Sequence, residues 1–315
     1  LSQAEFDRAW LNHQAGNSAK AFQLFTNYIE RFPTNRLAPL AQKWIADFHF
    51  QSGKFAEAEL GYRLLFENTN LLELAGNLAW EARLSAGRSA FFRQNHGVAE
   101  TLLTAVVNAT NAPLEEVARA EFYLGDVAAE QTSRTPTNLV EAVNHYQRVA
   151  REMTNSPLNA AAWGRLGDCH LQLGELGQAS AAYQAVTELP GADVTTRSQA
   201  KLGLARVLVE QADAAGETAE SERILEQALD HCREIVFGGN LRSANEKMDP
   251  YWVKEAGLMA GRLAKRLGQA EQEKKLYTRL AEELPTMPLW QTKLDALNGK
   301  TNAPVVPKPP QPTSP

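Results

Sequence analysis

Cysteine is nearly absent: Cys169 and Cys232 are the only two in 315 residues. A disulfide framework takes several paired cysteines in a short secreted chain, so none is expected. Each cysteine falls inside its own helical pattern and reads as a buried structural thiol. Two thiols leave the compartment open, because a cytosol and a bacterial periplasm both tolerate them. Long apolar runs are missing too. No stretch approaches the roughly 18 residues a membrane span needs, and no leader pattern stands at the start. The chain begins at Leu1 without Met. A processed form or a piece of something longer, shorn of a leader or lipid anchor, is therefore expected.

Positive charge is in deficit, with 32 Lys+Arg against 37 Asp+Glu. Phosphate neutralisation needs clustered Lys and Arg, so a general nucleic-acid grip is excluded. Catalytic motifs are missing as well. There is no His-Glu-x-x-His pair, no Cys-x-x-Cys and no Walker-type Gly-x4-Gly-Lys-Ser/Thr phosphate loop. The six histidines, at 13, 49, 96, 145, 170 and 231, are scattered. Asp168-Cys169-His170 is the one tight cluster of reactive types, but adjacent helical residues point in different directions. We expect no enzyme, no cofactor and no metal.

What is present is a pattern of paired amphipathic helices. Trp163, Leu166, Gly167 and His170 are followed by Gly174, Ala179, Tyr183, Val186 and Pro190. Small and bulky residues recur at three, four and seven, so two helices meet at a turn. This stretch resembles the tetratricopeptide repeat, Trp-x2-Leu-Gly-x2-Tyr, then Ala-x3-Phe, then Pro. His170 replaces the family's Tyr, and Pro190 comes one residue early. Earlier in the chain, Trp10, Gly16, Ala21, Phe25 and Phe32-Pro33 form one copy, and Ala46, Gly53, Ala58, Tyr62 and Leu65 another. Arg31-Phe32-Pro33 and Gly53-Lys54-Phe55-Ala56-Glu57-Ala58 are similar to the repeats of bacterial envelope proteins.

The second-helix aromatic position gives the pitch: Phe25, Tyr62, Ala105, Tyr146, Tyr183, Cys232 and Tyr277. The spacings run from 37 to 49, against about 34 for the family. The resemblance implies an all-α fold, a right-handed α-solenoid of about seven tetratricopeptide-like hairpins over 1–299. The repeats fall at 2–36, 37–70, 71–112, 113–157, 158–192, 193–240 and 248–286, with a capping helix at 287–298. In the third repeat the first helix starts as early as Leu71 and runs to Gln94, with His96-Gly97 as the turn. The polar insertion from Gln211 to Ser221 separates or extends the helices of the sixth repeat. A long connection follows, Phe237 to Met248, functional or mobile. Residues 300–315 hold six prolines and read as a disordered tail or polyproline spacer, with a docking motif as the alternative.

The resemblance also implies that first helices line a concave groove. Candidate groove residues are Phe6, Trp10, Lys43, Asp47, Phe122, Asp126, Asp168, Arg206, Arg262, Lys265 and Arg266. The stripe is acidic in the middle and basic toward the end. Charge of that order can fix the direction of a bound segment. The family's carboxylate-holding arrays place Lys and Asn where Asp47, Asp126 and Asp168 stand, so binding of that type is not expected. The leading expectation is a non-catalytic protein–protein interaction scaffold, a subunit or accessory protein of a bacterial cell-envelope complex. A cytosolic peptide-binding adaptor and a helical accessory region of a larger enzyme are the alternatives. Partners are other proteins or peptides, with a membrane-associated complex included. A periplasmic or cell-envelope location is favoured over the cytoplasm.

Overall fold

The computed structural model describes residues 1–131 and 137–299, and among these every regular element is a helix. Residues 132–136 and the proline-rich residues 300–315 lie outside the described residues. The described residues divide into two compact units, the first ending at Cys169 and the second beginning at His170.

The first unit opens with α1 (Ser2–Gln14), α2 (Ser18–Arg31), α3 (Ala38–Gln51) and α4 (Phe55–Glu67). Gly16 at φ 78° and Gly53 at φ 72° turn the chain within each pair, a left-handed geometry that glycine adopts without a Cβ clash. Then come α5 (Thr69–Ala75), α6 (Leu78–Phe92), α7 (His96–Val107), α8 (Leu114–Glu130) and α9 (Thr137–Arg151). The helix α10 (Asn159–Gln172) runs across the boundary between the units. Helices pack on their chain neighbours, α1 on α2 through α8 on α9, with the small α5 lying against α3 and α4. This is how stacked hairpins share a core that no single hairpin could bury.

The third repeat departs from the sequence reading in three ways. Its first helix is not continuous from Leu71; Gly76 at φ 53° breaks it into α5 and α6. His96-Gly97 is not the turn. Both residues belong to α7, whose N-terminus is capped by the Asn95 side chain accepting from the Val98 amide at 3.3 Å. Asn is a preferred capping residue. The register also moves by two. A Cβ built on Gly87 would lie 2.8 Å from the Leu103 side chain, so Leu103, not Ala105, fills the second-helix position. Leu103 is fully buried and Ala105 only half-buried. Leu103 is sixteen residues after its small partner, as Tyr62 is after Ala46 and Tyr277 after Gly261.

The second unit contains α11 (Leu176–Glu188), α12 (Val194–Ala214), α13 (Ala219–Val236), α14 (Pro250–Arg266), α15 (Ala270–Glu283) and α16 (Leu289–Leu297). The polar insertion extends both helices of the sixth repeat, to 21 and 18 residues. One aliphatic cluster runs from Leu202 through Leu225, Ile235, Met259 and Leu280 to Trp290 and Leu294. The closing helix α16 buries Trp290 completely, its ring stacked on Tyr277 with centroids 6.2 Å apart. Gln291 and Thr292 stay exposed on its other side.

The long connection before α14 is pinned by two arginines. Arg197, only 2% exposed, donates to the Asn240 carbonyl at 3.0 and 3.2 Å, to the Ala192 carbonyl, and to Glu246 at 2.6 Å. Arg242 donates to the carbonyls of Thr187, Leu189 and Pro190 at 2.5, 2.7 and 3.2 Å. Thr187 lies in the last turn of α11, where a helix leaves acceptors without intrahelical partners, and Leu189 and Pro190 follow just beyond it.

Candidate functional site

Three helices of the first unit build an amphipathic pocket. On α1, Phe6, Trp10 and His13 are spaced by four and three, so they share one face. On α3, Leu40, Lys43, Trp44, Asp47, Phe48 and Gln51 share another by the same spacing. Together with Asp7 and Ser18 they enclose a cavity of about 430 Å³. The helix α2 supports it from behind. Phe25 is buried against Trp44 at 4.7 Å and meets Phe6 edge-on at 5.3 Å.

The rings form a continuous strip. Trp10 lies 5.3 Å from His13, and His13 meets Trp44 edge-on at 5.4 Å. Trp44 stacks on Phe48 at 5.7 Å, and Phe6 on Trp10 at 6.5 Å. Trp10 remains 42% exposed and Leu40 46%. An exposed Trp over an apolar floor is the kind of group that dominates binding energy at interfaces.

The polar end of the pocket is a built network. Lys43 bridges Asp47 at 2.9 Å and Glu81 at 3.1 Å. Burial alone would lower its pKa, but the hydrogen bonds and charges of Asp47 and Glu81 outweigh that and raise it, so the ammonium persists. The Tyr62 hydroxyl donates to Asp47 at 2.6 Å. Burial, then the Asp47 hydrogen bond, pushes that phenol far above its ordinary value, so it stays a donor. A pocket with an apolar body and few fixed polar groups suits recognition of an amphipathic segment.

The structure thus gathers Phe6, Trp10, Lys43 and Asp47 into one site. Phe122 and Asp126 serve differently. Phe122 is 8% exposed and packs edge-on against Tyr146 at 5.5 Å. Asp126 accepts from the Tyr146 hydroxyl at 2.6 Å and pairs with Arg165 at 3.4 Å. Burial raises the Asp126 pKa, against the pull of Arg165 and Tyr146. Asp168 is half-buried, and its charge supports Arg165 beside that of Asp126. So the acidic stripe of this unit mostly anchors tyrosines and an arginine.

In the second unit Arg206 on α12 and Arg262, Lys265 and Arg266 on α14 are all exposed. Arg266 pairs with Asp213 at 2.6 Å. Burial pushes the Cys232 thiol up to about 12, while Arg262 and Arg206 pull it down. Burial does the same to Cys169, also to about 12. Both cysteines are free and buried, and thiols held protonated are poor nucleophiles. His170 binds Glu175 through Nδ1 at 2.6 Å, so it is a satisfied structural histidine. No group of three or more metal-ligating side chains occurs among the described residues. Nor is any described helix long and apolar enough to cross a membrane.

Sequence spacing missed His13, Trp44 and Phe48 as pocket residues, though their i, i+3 and i+4 relation to Trp10, Lys43 and Asp47 carried the signal. It also missed Arg88, which the corrected register puts on the same stripe as Asp47 and Asp126. Its guanidinium lies 5.2 Å from the Phe50 ring centre and 4.9 Å from that of Tyr123.

Two segments, residues 3–35 and 138–193, match the tetratricopeptide repeat. The first covers nearly all of the first repeat read from the sequence, and the second contains the stretch from Trp163 to Pro190. No curated protein matches the chain in sequence. Among solved structures it is similar to the C-terminal part of a TPR repeat-containing protein from Cytophaga hutchinsonii. That likeness has a TM-score of 0.58 at 13% identity, covering 92% of this chain and 99% of the other. It is also similar to pilF of Pseudomonas aeruginosa, with a TM-score of 0.52 at 14% identity, over 84% of this chain and 97% of the other. At such identities the likeness is one of fold.

Proposed function

We propose that this chain, whose residues 3–35 and 138–193 match the tetratricopeptide repeat, is a non-catalytic scaffold docking its partner in the α1–α3 pocket. We place it in a bacterial cell-envelope complex, as a subunit or accessory protein. The pocket carries the docking reading: four candidate groove residues meet there, the exposed Trp10 among them. The envelope reading is supported by the Arg31-Phe32-Pro33 and Gly53-Lys54-Phe55 cues of the first two repeats.

The test uses immobilised full chain, wild type and Trp10→Ala, against native bacterial lysate at low and moderate salt. A partner held by the wild type and lost by the variant, at unchanged thermal stability, supports pocket docking. A partner retained by the variant puts the docking surface elsewhere. Fractionation of cells expressing the whole reading frame checks the location, and a purely cytosolic distribution overturns the envelope reading.

A further inference from the structure

We propose that the α1–α3 pocket takes a proline-rich segment in polyproline II form, namely residues 304–312 donated by a second copy of this chain. The proposal rests on the pocket reading above and names its ligand chemistry. Two observations meet in it.

The first is the ring strip. Trp10, His13 and Trp44 follow one another at 5.3 and 5.4 Å across α1 and α3, flanked by Phe6 and Phe48. Aromatic-lined grooves favour polyproline II ligands, because proline ridges pack between flat rings and the ligand is already extended before binding. The second is the register of prolines in the sequence. Polyproline II has three residues per turn and rises about 3.1 Å per residue. Pro304, Pro307 and Pro310 are spaced by three, so in that form they share one ridge. Pro309, Pro312 and Pro315 are spaced by three as well and share a second ridge.

Charge agrees with this pairing. Residues 300–315 carry Lys300 and Lys308 and no acidic residue. Among the pocket's lining residues two carboxylates, Asp7 and Asp47, face the single ammonium of Lys43. Asp47 is occupied by Lys43 and Tyr62. Asp7 sits on the exposed rim and, among the described residues, accepts from the Gln3 amide at 2.9 Å. Asp7 is therefore the acidic group we assign to Lys308. Each copy carries one pocket and one segment, so the contact is head to tail, and such contacts build chains unless the rotation closes them.

The experiment has three arms. A labelled peptide of residues 300–315 is titrated into the full chain and read by anisotropy. Binding is expected, weakened roughly tenfold or more by Trp10→Ala. The same loss is expected when the peptide carries Pro304→Ala, Pro307→Ala and Pro310→Ala. No peptide binding, or equal binding by both variants, overturns the proposal.

The second arm uses Asp7→Lys, a rim change that spares the aromatic floor. It should weaken the wild-type peptide and bind a Lys308→Glu peptide better, while no such exchange overturns the charge assignment. The third arm is sedimentation velocity over a dilution series. Concentration-dependent self-association, lost when the full chain carries the three Pro→Ala changes, supports a second copy as donor. A monomer at concentrations well above the peptide Kd overturns that source. If the peptide fails to bind while a lysate partner still depends on Trp10, the ligand chemistry is wrong and the pocket reading stands. If both fail, the pocket reading falls too.

Discussion

The two units use one helix-hairpin plan but hold their helices differently. In the first, aromatic rings and carboxylates meet between the helices. Tyr62 donates to Asp47 and Tyr146 to Asp126, both at 2.6 Å, and Glu121, 1% exposed, holds His145 and Arg148 at 2.6 Å each. In the second, longer helices bury an aliphatic core, and the polar chemistry is concentrated in one connection clasped by Arg197 and Arg242. The difference teaches where each unit can spare surface. Aromatics distributed between hairpins leave some rings at the edge, and the α1–α3 pocket is made of those. In the second unit Trp290 closes an aliphatic core, and Phe237 and Tyr251 stay exposed outside it.

The comparison breaks hardest at Arg197. Arg197→Ala removes the donor from two carbonyls and Glu246 in a buried site. We expect a loss of about 1–3 kcal/mol for each buried carbonyl left without its donor, read by chemical denaturation. Hydrogen exchange should locate it at 237–249, and protection unchanged there would refute the clasp.

Glu121→Gln tests the carboxylate network of the first unit. Hydrogen bonds to charged groups contribute about 1.5–3 kcal/mol, so a loss of that order is expected. Burial would raise the Glu121 pKa, but the hydrogen bonds and charges of His145 and Arg148 hold it below its ordinary 4.5. A carboxylate with a depressed folded pKa stabilises fully above its unfolded pKa. That contribution is lost as the pH falls below about 4.5 and through the folded value. Melting temperature against pH should therefore drop more steeply for the wild type than for Glu121→Gln in that window, and parallel curves would remove the network from the account.

Two glycines sharpen the contrast between close approach and open space. A Cβ on Gly203 would lie 2.4 Å from the Tyr183 ring. Gly203→Ala should cost about 1–3 kcal/mol through overpacking. A Cβ on Gly164, in α10, meets nothing within 4 Å. Gly164→Ala should stabilise by about 0.5–1 kcal/mol, the difference between the two residues inside a helix. Thermal melts of both variants check the pair, and a shift in the same direction would contradict the packing described.

Much of this was legible in the sequence, for a local reason. Apolar spacing of three and four, Gly16 and Gly53 at turns, and Pro33 after a helix all act within a few residues of chain. They specified helices, hairpins and a closing helix around Trp290. Reading failed where local signals were ambiguous. In the third repeat Gly87 and Ser89 are both small, and only the approach of Leu103 to Gly87 chooses between them. His96-Gly97 looks like a turn, but the Asn95 cap starts the helix first.

The site divides along the same line. Sequence alone determined that Phe6, Trp10, Lys43 and Asp47 lie on first helices, because helical periodicity fixes the face a residue occupies. Tertiary structure decided what each does. Lys43 and Asp47 became a pocket corner because Glu81 and Tyr62 come to them from other helices. Phe122 and Asp126 were drawn inward by Tyr146 and Arg165. Arg197 became the clasp of a loop more than forty residues away. Burial and pairing depend on which helices stack against which, and that information is distributed over the whole unit rather than written beside the residue.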